Sequence, residues 1–385
     1  MELRLNTTST TNRKMKILQL GKFWPVKGGV EKVMFDLTRG LAEREGMECD
    51  MMAAAIDGAS RTEKLNDGAR LLLCRTWRKA AATMLAPSMI VRLRSVASEY
   101  DIIHVHHPDP MAALELRLSG FKGKVVLHWH SDILKQRQLL KLYMPLQQWL
   151  LRRADMVVGT SPVYLAESPH LSDVQNKTVC LPIGVDPTPI DVDGAERIHR
   201  RYPGKKLVFS LGRLVPYKGY KYLVEAARHL PDDYMVLIGG EGPLRDELQR
   251  QISMLGIGHK VELLGGVPAK DVAAYFSAAS LFCLSSVMKT EAFGIVLIEA
   301  MSAGVPVVTT TIDGSGTQWV NEHGTSGINV PPCSPIALAK GIIKVASDAE
   351  ARRRFAEGAL TRYSTLFTHK KMIDNVIDIY NKVLY

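Results

Sequence analysis

The chain has 385 residues, 46% of them hydrophobic, and a net charge of +10 at neutral pH. The length excludes a single ordinary domain and predicts two or three, with enough apolar residues for a packed core in each. The positive balance suits an anionic partner, such as a nucleotide, a phosphate, nucleic acid or an acidic membrane surface.

Cysteine spacing, hydropathy and the N-terminal composition predict the compartment. The five cysteines are scattered, without a Cys-x-x-Cys pair or a zinc-binding spacing. No apolar run is long enough to span a bilayer, and residues 1–14 lack the apolar core of a signal peptide. We therefore predict a cytoplasmic protein, or one bound peripherally to the inner face of the cytoplasmic membrane, with a disordered extension at 1–14.

Apolar strands alternate with helical patterns through the first half of the chain. This alternation predicts a doubly wound parallel sheet with a ligand site at the carboxyl ends of its strands. Gly28-Gly29 precedes an amphipathic helix that is predicted to end near Arg44. Such a turn lets backbone approach a phosphate, although most glycine pairs only turn the chain. The predicted strands are 17–20, 51–56, 71–74, 102–107, 125–132 and 156–161.

Histidines crowd the ends of two of these strands, at positions 104, 106, 107, 128 and 130. Strand alternation places His104 with His106 on one face, and His128 with His130 on one face of the next strand. A zinc site is an alternative, but no carboxylate or cysteine lies at a fitting spacing. We predict that His130 lies at the mouth of a site and that most of the others are satisfied within the fold.

Two stretches, Arg75 to Arg94 and Lys135 to Arg153, mix basic residues with apolar and aromatic ones. This mixture suits a membrane interface. An ordinary amphipathic helix on the sheet, with a solvated basic face, explains each stretch taken alone. Combined with the net charge, the two interpretations are about equally supported, and we retain both.

A Pro- and Gly-rich segment at 179–189 predicts a domain boundary. Asp191 to Asp193 resembles a metal-binding Asp-x-Asp, but no apolar strand precedes it, and we interpret it as exposed. A second strand–helix alternation follows. Its predicted strands are 207–212, 234–238, 261–267, 280–285 and 305–310, with helices at 220–229, 295–301, 334–347, 349–357 and 369–384.

Charged residues stand at two strand ends of this second half. Arg213 and Lys218 follow a strand and precede a helix, where a guanidinium fork and an ammonium suit a diphosphate. Two surface cations are the alternative. Glu291 lies in a later loop and Glu299 within the apolar helix after it. A carboxylate buried there needs donors, and sugar hydroxyls would serve.

The order of these motifs resembles the retaining glycosyltransferases of family 4, from about residue 15 onward. The resemblance implies an α/β GT-B fold, in which two Rossmann-like doubly wound domains face each other across a cleft. It places an acceptor domain at 15–188, a donor nucleotide-sugar domain at 189–366 and a helix at 367–385 that crosses back. The matching motifs are Gly28-Gly29, His130 to Asp132, Gly212 to Gly219, Gly240 to Leu244 and Glu291 to Glu299.

The resemblance also implies roles for single residues. Arg213 and Lys218 would hold the diphosphate, Glu299 the ribose hydroxyls and Glu291 a hydroxyl of the donor sugar. His130 would meet the transferred sugar. The backbone of Phe293, Gly294 and Ile295 would meet sugar and phosphate, Val267 would lie against the base, and Gly28-Gly29 would let a loop close over the phosphate.

The implied activity is the retaining transfer of a hexose to a lipid-linked or oligosaccharide acceptor in cell-surface polysaccharide synthesis. The stretch His130 to Ile133 resembles mannosyltransferases, which suggests GDP-mannose as donor. No metal or other cofactor is expected, since Arg213, Lys218 and helix N-termini can stabilise the leaving diphosphate. The alternative is a GT-B-fold nucleotide-sugar epimerase or hydrolase. No nucleic-acid partner is expected, because no nucleic-acid-binding motif is present.

Overall fold

The structure is a computed structural model that describes residues 13–80, 83–133 and 137–385. The described residues fold as two compact units. The first comprises those up to His128, with Gln138–Val157 and Ile377–Tyr385, and the second those of Trp129–Arg137 and Val158–Val376. The extension predicted at 1–14 lies outside the described residues, apart from Arg13 and Lys14.

The strands and helices alternate along the chain, as the sequence predicts. The strands are β1 (Met15–Trp24), β2 (Met47–Ala55), β3 (Arg61–Asn66), β4 (Ala69–Arg75), β5 (Arg78–Ala80), β6 (Thr83–Leu85), β7 (Ile102–His107), β8 (Lys124–Trp129), β9 (Met156–Gly159), β10 (Thr178–Cys180), β11 (Lys206–Leu211), β12 (Tyr234–Gly239), β13 (Val261–Gly265), β14 (Leu281–Leu284), β15 (Val307–Thr310) and β16 (Gly327–Val330). The helices are α1 (Gly29–Ala42), α2 (Pro87–Val96), α3 (Pro110–Ser119), α4 (Arg137–Arg153), α5 (Pro162–Glu167), α6 (Val192–Arg201), α7 (Tyr220–Ala226), α8 (Arg245–Met254), α9 (Ala269–Ala278), α10 (Ile295–Ser302), α11 (Thr317–Val320), α12 (Pro335–Ala346), α13 (Ala349–Leu366) and α14 (His369–Leu384).

The first unit contains a sheet in which strands run in the order β8-β7-β1-β2-β4-β3. Strand β1 pairs in parallel with β2 and β7, while β3 lies antiparallel on β4 at the edge. Strands β2 and β7 are buried over most of their length, and β1 is buried in its central part, at residues 17–21. A doubly wound sheet is covered on both faces, which explains why its strands are continuous apolar runs.

The second unit contains a parallel sheet in the order β13-β12-β11-β14-β15-β16. Its core is formed by strand residues such as Val236 and Val308 and by helix residues such as Leu223 and Ile342. Because helices connect successive parallel strands, the carboxyl ends of β11, β12 and β14 meet at one edge of the sheet. The prediction of two Rossmann-like α/β halves is confirmed.

Several local features differ from the sequence prediction. Part of the basic stretch from Arg75 is not helical: β5 and β6 form an antiparallel hairpin, and α2 begins only at Pro87. Proline is well tolerated there because the first helical N–H has no intrahelical partner. The second stretch is the helix α4 from Arg137 onward, and residues 134–136 lie outside the described part of the chain.

The segment interpreted as a linker begins the helix α6, while Val192 and Asp193 are exposed, as predicted. Asp191 is the N-cap of α6, and its carboxylate accepts a hydrogen bond of 2.8 Å from the backbone N–H of Gly194. An aspartate in this position satisfies one of the unpaired N–H groups of a helix start. Within the described residues, every helix is too short or too polar to cross a bilayer.

Candidate functional site

Three loops of the second unit approach one another at the carboxyl edge of its sheet. Gly219 has a φ of +67°, and a Cβ atom there would lie 2.1 Å from the carbonyl oxygen of Ser285. Gly240 has a φ of +139°, and its Cβ would lie 1.9 Å from the carbonyl oxygen of Gly212. Only glycine allows both the backbone conformation and this close approach. The loops after β11, β12 and β14 are therefore held together by backbone contact.

Lys218 and Glu291 form an ion pair at this edge. Lys218 ends a short 3-10 turn before α7, and its Nζ lies 2.6 Å from Glu291 Oε2. The two side chains are only 11% and 10% exposed. A buried pair of this kind fixes both side chains, because removing either one leaves a charge without compensation.

The loop that carries Glu291 is fixed by hydroxyl groups. Ser286 Oγ donates to Glu291 Oε2 at 2.8 Å, and Ser315 Oγ donates to the carbonyl oxygen of Glu291 at 2.5 Å. The backbone N–H of Gly316 donates to the carbonyl oxygen of Ala292. The carboxylate of Glu291 thus has one geometry before any ligand arrives.

The other two charged candidates are more accessible. Arg213 is exposed, and within the described residues its guanidinium makes no ion pair. Glu299 is half-buried, which corrects the expectation of a buried carboxylate. The backbone around it is fixed, since Thr188 Oγ1 and Ser302 Oγ both donate to its carbonyl oxygen, at 3.1 and 2.7 Å.

The helix α10 begins where the resemblance predicts a phosphate. Its N-cap is Gly294, with a φ of +79°, and Ile295 is the first helical residue. A Cβ at Gly294 would lie 3.0 Å from Leu297 Cδ1 and 3.1 Å from Leu284 Cδ2. Glycine has no side chain with which to cap the helix. The N-terminus therefore suits an external anion.

Phe293 belongs to a buried aromatic cluster behind this helix start. Its ring centroid lies 6.5 Å from that of Trp319 and 5.9 Å from that of Phe367. The guanidinium of Arg362 lies over the rings of Trp319 and Phe367. Phe293 thus anchors the Phe-Gly segment by packing.

Val267 lines a pocket of about 270 Å³ at the end of β13. Tyr275, Asp271 and Arg197 also line it. A Cβ at Gly239 would lie 2.7 Å from Val267 Cγ2, so the glycine provides the space into which Val267 packs.

His130 and Asp132 follow β8, and both are buried. Asp132 Oδ1 accepts from Trp129 Nε1 at 2.9 Å and from Ser168 Oγ at 2.6 Å. The backbone N–H of Asp132 donates to Tyr164 Oη at 2.7 Å. The carboxylate therefore fixes the turn that presents His130.

The glycine turn of the first unit holds a carboxylate of its own helix, where the sequence suggests a phosphate site. Gly28 is the N-cap of α1 and Gly29 its first residue. Glu31 folds back, so that its Oε2 would lie only 2.7 Å from a Cβ at Gly28. Burial raises the pKa of Glu31, while Lys22 and the N–H groups of Glu31 and Gly28 oppose the shift. The helix start expected to face a phosphate already holds a carboxylate.

A second buried carboxylate stands beside this turn. Asp109 Oδ2 accepts from the backbone N–H of Lys22, and its Oδ1 caps α3 through the N–H of Met111 at 3.0 Å. The ammonium of Lys22 donates to the carbonyl oxygen of Pro108. Burial raises the pKa of Asp109, against the opposing charge of Lys22.

The histidines of the first unit form a buried stack. The rings of His104 and His106 lie 4.9 Å apart, and His128 stacks on both. His104 Nδ1 pairs with Tyr380 Oη at 2.6 Å, and His106 Nε2 with Gln19 Oε1 at 2.7 Å. Burial lowers the pKa of all three histidines, that of His128 to about 3. These imidazoles are therefore neutral at physiological pH.

The structure brings together only some of the predicted residues. Lys218 and Glu291 are in contact, and Phe293 to Ile295 continue the same loop. Ser286, Ser315 and Glu31 were missed. Serines in the loops after β14 and β15 match no sequence motif. Glu31 could have been found as the third helical residue, from which a carboxylate can reach the N-cap N–H.

Comparison with known proteins decides the family. The model of "Glycosyltransferase Family 4" matches residues 27–188, and that of "Glycosyl transferases group 1" matches residues 192–362. The O-antigen chain mannosyltransferase C of Escherichia coli is 31% identical over 376 residues, which cover 96% of this chain and 99% of that protein. The chain belongs to glycosyltransferase family 4. It is an enzyme that transfers a glycosyl group.

Two further relatives are named for other sugars or acceptors. A D-rhamnosyltransferase of Pseudomonas aeruginosa is 31% identical over 343 residues, covering 89% of this chain and 88% of that protein. A GDP-mannose-dependent phosphatidylinositol monomannoside mannosyltransferase of Mycobacterium tuberculosis is 27% identical over 368 residues, covering 90% and 92%.

Solved structures establish the fold of this glycosyltransferase. Sucrose-phosphate synthase from Thermosynechococcus elongatus superposes with a TM-score of 0.77 at 22% identity, over 96% of this chain and 99% of that one. Anabaena Alr3699/HepE, solved with UDP and glucose, also has a TM-score of 0.77, at 21% identity over 96% and 100%. At such identities the likeness concerns the fold alone, and it confirms the GT-B prediction.

Proposed function

We propose that this glycosyltransferase transfers mannose from GDP-mannose, with retention, to a lipid-linked or oligosaccharide acceptor in cell-surface polysaccharide synthesis. The observation that carries the proposal is the buried Lys218–Glu291 pair, with the exposed Arg213 on the same loop as Lys218, at a sheet edge where α7 and α10 begin with glycine N-caps. The choice of mannose rests on the E. coli O-antigen and M. tuberculosis relatives.

The proposed chemistry needs no nucleophilic side chain. The bond between C1 of the sugar and the diphosphate oxygen breaks, and its electron pair leaves with the nucleoside diphosphate. The acceptor oxygen attacks C1 from the same face and transfers its proton to the leaving phosphate oxygen. Arg213, Lys218 and the N-terminus of α10 stabilise the charge that develops on the diphosphate. A metal ion is therefore not required by this scheme.

Each remaining site residue has a proposed role. Glu291 holds Lys218 towards the phosphates and offers its second oxygen to a hydroxyl of the sugar. The side chain of Glu299 reaches the ribose hydroxyls, and the base lies against Val267. His130 meets the transferred sugar. We assign Gly28-Gly29 a phosphate contact only if Glu31 moves away from the turn.

The experiment is a donor panel. Thermal shift with UDP, GDP, ADP and their sugars should show the greatest stabilisation with GDP and GDP-mannose, because bound ligand stabilises the folded state. Released nucleotide is then measured with and without an oligosaccharide acceptor. Preference for a D-rhamnosyl or UDP-linked donor would refute the mannose assignment. Conversion of the donor without any acceptor would favour an epimerase or hydrolase.

We also propose that the first unit binds anionic membrane surfaces. Trp77 and Val91 are 74% and 71% exposed, and Arg78 and Lys79 are exposed beside Trp77. A groove of about 540 Å³ next to α2 is lined by Arg61 and Arg92, by hydroxyl side chains and by a few apolar ones such as Val91. Aromatic and basic residues together suit the headgroup region.

Vesicle sedimentation tests the membrane proposal. The protein should bind vesicles rich in phosphatidylglycerol at low ionic strength, and should be released by salt and by the change Trp77→Ser. Met254 is 80% exposed in the second unit, and Met254→Ser is the matched control. Equal binding to neutral vesicles, or no binding at low salt, would end the proposal.

A further inference from the structure

Lys289 is a lysine in an unusually enclosed position. It lies in the loop between β14 and α10, two residues before Glu291, and its side chain is 18% exposed. Lysine is rarely buried unless a partner compensates its charge. Neither the sequence motifs nor the proposed mechanism uses this residue, and its contacts therefore need their own explanation.

The ammonium of Lys289 meets three groups. Its Nζ lies 3.4 Å from Asp132 Oδ2, donates to the carbonyl oxygen of Glu167 at 3.1 Å and lies 4.7 Å from the centre of the Tyr164 ring. A carboxylate, a carbonyl and an aromatic face together replace the hydration of the ammonium. The Lys289 side chain is therefore held in one direction.

Asp132 is a rigid partner for it. The Asp132 side chain is only 2% exposed, and Trp129 Nε1 and Ser168 Oγ both donate to its Oδ1. Its second oxygen faces Lys289. Because the carboxylate cannot turn without losing these two hydrogen bonds, the pair differs from a surface ion pair, whose long side chains move independently.

A single backbone turn connects Lys289 to Glu291. The backbone N–H of Glu291 donates to the carbonyl oxygen of Met288 at 2.9 Å, which closes a turn around Lys289. Glu291 in turn holds Lys218 at 2.6 Å. Gly314 leaves room for the lysine, since a Cβ there would lie 3.0 Å from its Nζ. A displaced Lys289 would shift the carboxylate that faces the donor.

We propose that Lys289 is a positioning residue that ties the Glu291 loop to the turn carrying His130, through Asp132. These two segments hold the residues assigned to the transferred sugar, and the inference rests on the proposed function in that respect. The Lys289–Asp132 pair sets the spacing between Glu291 and His130 and does not itself touch the substrate. Its loss lowers the rate of transfer more than it lowers the affinity for nucleotide, because the cations Arg213 and Lys218 remain.

Kinetics of Lys289→Met and Asp132→Asn test the proposal. Lys289→Met keeps the length of the side chain and removes the charge. A displacement of about 1 Å at a reacting centre can lower the rate about 100-fold. We therefore expect kcat to fall about 10- to 100-fold, while the affinity for GDP stays within about threefold of the parent. The double variant should be no slower than the slower single one, because both changes break the same contact. Lys370→Met removes an exposed lysine paired with Asp374 and is the control.

Amide hydrogen exchange provides a second readout that needs no donor. Lys289→Met and Asp132→Asn should each speed exchange in residues 285–294, while Lys370→Met should not. Lys289→Arg, which keeps the charge, should recover part of the protection and part of kcat. Unchanged exchange in 285–294, or a kcat within twofold of the parent, would overturn the proposal. A parent enzyme that releases no nucleotide from any sugar donor would refute the proposed function, while the exchange result would still decide the role of Lys289.

Discussion

The segments β1–α1 and β11–α7 are built alike but differ in the charges that face their turns. Each has a buried parallel strand, a glycine-containing turn and a helix. In the first unit, the carboxylate of Glu31 lies against Gly28, and Asp109 accepts from Lys22. In the second unit, Lys218 lies at the turn and a carboxylate from another loop pairs with it.

This difference shows that a glycine turn before a helix does not by itself identify an anion site. The free N–H groups of a helix start attract any negative charge, including one from the same helix. Glu31 supplies that charge in the first unit. In the second unit the first turns of α7 and α10 carry no acidic residue, and Lys218 directly precedes the Gly219 N-cap of α7. The second turn is therefore the better candidate for a diphosphate.

The largest effect should come from breaking the charge arrangement of the second unit. Lys218→Ala and Glu291→Gln should each lower kcat/KM by about 100- to 1000-fold, since a group that stabilises developing charge is lost. Steady-state nucleotide release measures this. Lys221→Ala, three residues along the chain and exposed, should leave the rate within about twofold of the parent.

Folding must be separated from catalysis in these variants. Because the Lys218–Glu291 pair is buried, removal of one partner also leaves a charge without compensation. Glu291→Gln retains an oxygen for Ser286 but leaves the buried Lys218 charge uncompensated, so its unfolding temperature should fall. Turnover is therefore compared at a temperature at which circular dichroism shows both parent and variant to be folded. Near-normal turnover by either variant would show that the diphosphate binds elsewhere, and that the second turn is no better an anion site than the first.

A smaller effect should come from the buried hydrogen bonds that join Gln19, His104 and Tyr380 in the first unit. Tyr380 Oη bonds His104 Nδ1 at 2.6 Å and accepts from Gln19 Nε2 at 3.1 Å, and Gln19 and His104 lie on neighbouring strands. Tyr380→Phe leaves two buried polar atoms without this partner. We expect a loss of about 2 kcal/mol in the free energy of unfolding, measured by urea denaturation.

Tyr385→Phe is the matched control for that change, because Tyr385 is 99% exposed. It should leave the unfolding midpoint unchanged. If Tyr380→Phe were equally neutral, the hydrogen bonds of the Tyr380 hydroxyl would contribute nothing to the stability of the first unit.

A buried carboxylate of the first unit also predicts that stability depends on pH. Glu115 on α3 is buried, and burial, followed by the nearby charge of Asp109, raises its pKa well above the ordinary value. The folded state therefore holds a proton that the unfolded state releases. Stability should fall as pH rises from the unfolded pKa of about 4.3 towards the raised folded value, by at most about 1.4 kcal/mol per pH unit.

Glu115→Gln removes this dependence, because the amide resembles the protonated acid. Relative to the parent, the variant should gain stability steadily between pH 5 and pH 8 in urea denaturation. Glu350, in the first turn of α13 and exposed, serves as the control through Glu350→Gln. Parallel pH profiles for parent and Glu115→Gln would mean that Glu115 is ionised in the folded protein.

The sequence predicts the strand–turn–helix fold of both segments, β1–α1 and β11–α7. It predicts the charged residues at the turn of the second segment only. Apolar runs are enough to predict β1 and β11, because both strands are buried on two faces. Arg213 and Lys218 belong to one local motif, and Glu291 belongs to a second local motif with Glu299. The pairing of Lys218 with Glu291 crosses 73 positions of the sequence, and that of Lys289 with Asp132 crosses more. Such contacts depend on which loops the sheet order brings together, which local patterns do not encode.

The smallest effect should come from Glu31, the residue that distinguishes the two turns most directly. Glu31→Gln keeps an oxygen for the N–H groups of the turn and removes the charge. If a phosphate approaches Gly28-Gly29, GDP should bind about fivefold more tightly to the variant, as expected for a nearby like charge of about 1 kcal/mol in a solvated site. The affinity of the parent for GDP should approach that of the variant as pH falls towards the raised pKa of Glu31, because protonation removes the same charge.

Isothermal titration between pH 5 and pH 8 measures both effects, with Glu45→Gln, an exposed residue, as control. Equal affinities would mean that the first turn takes no part in binding the nucleotide, and weaker binding would mean that Glu31 contacts the ligand itself.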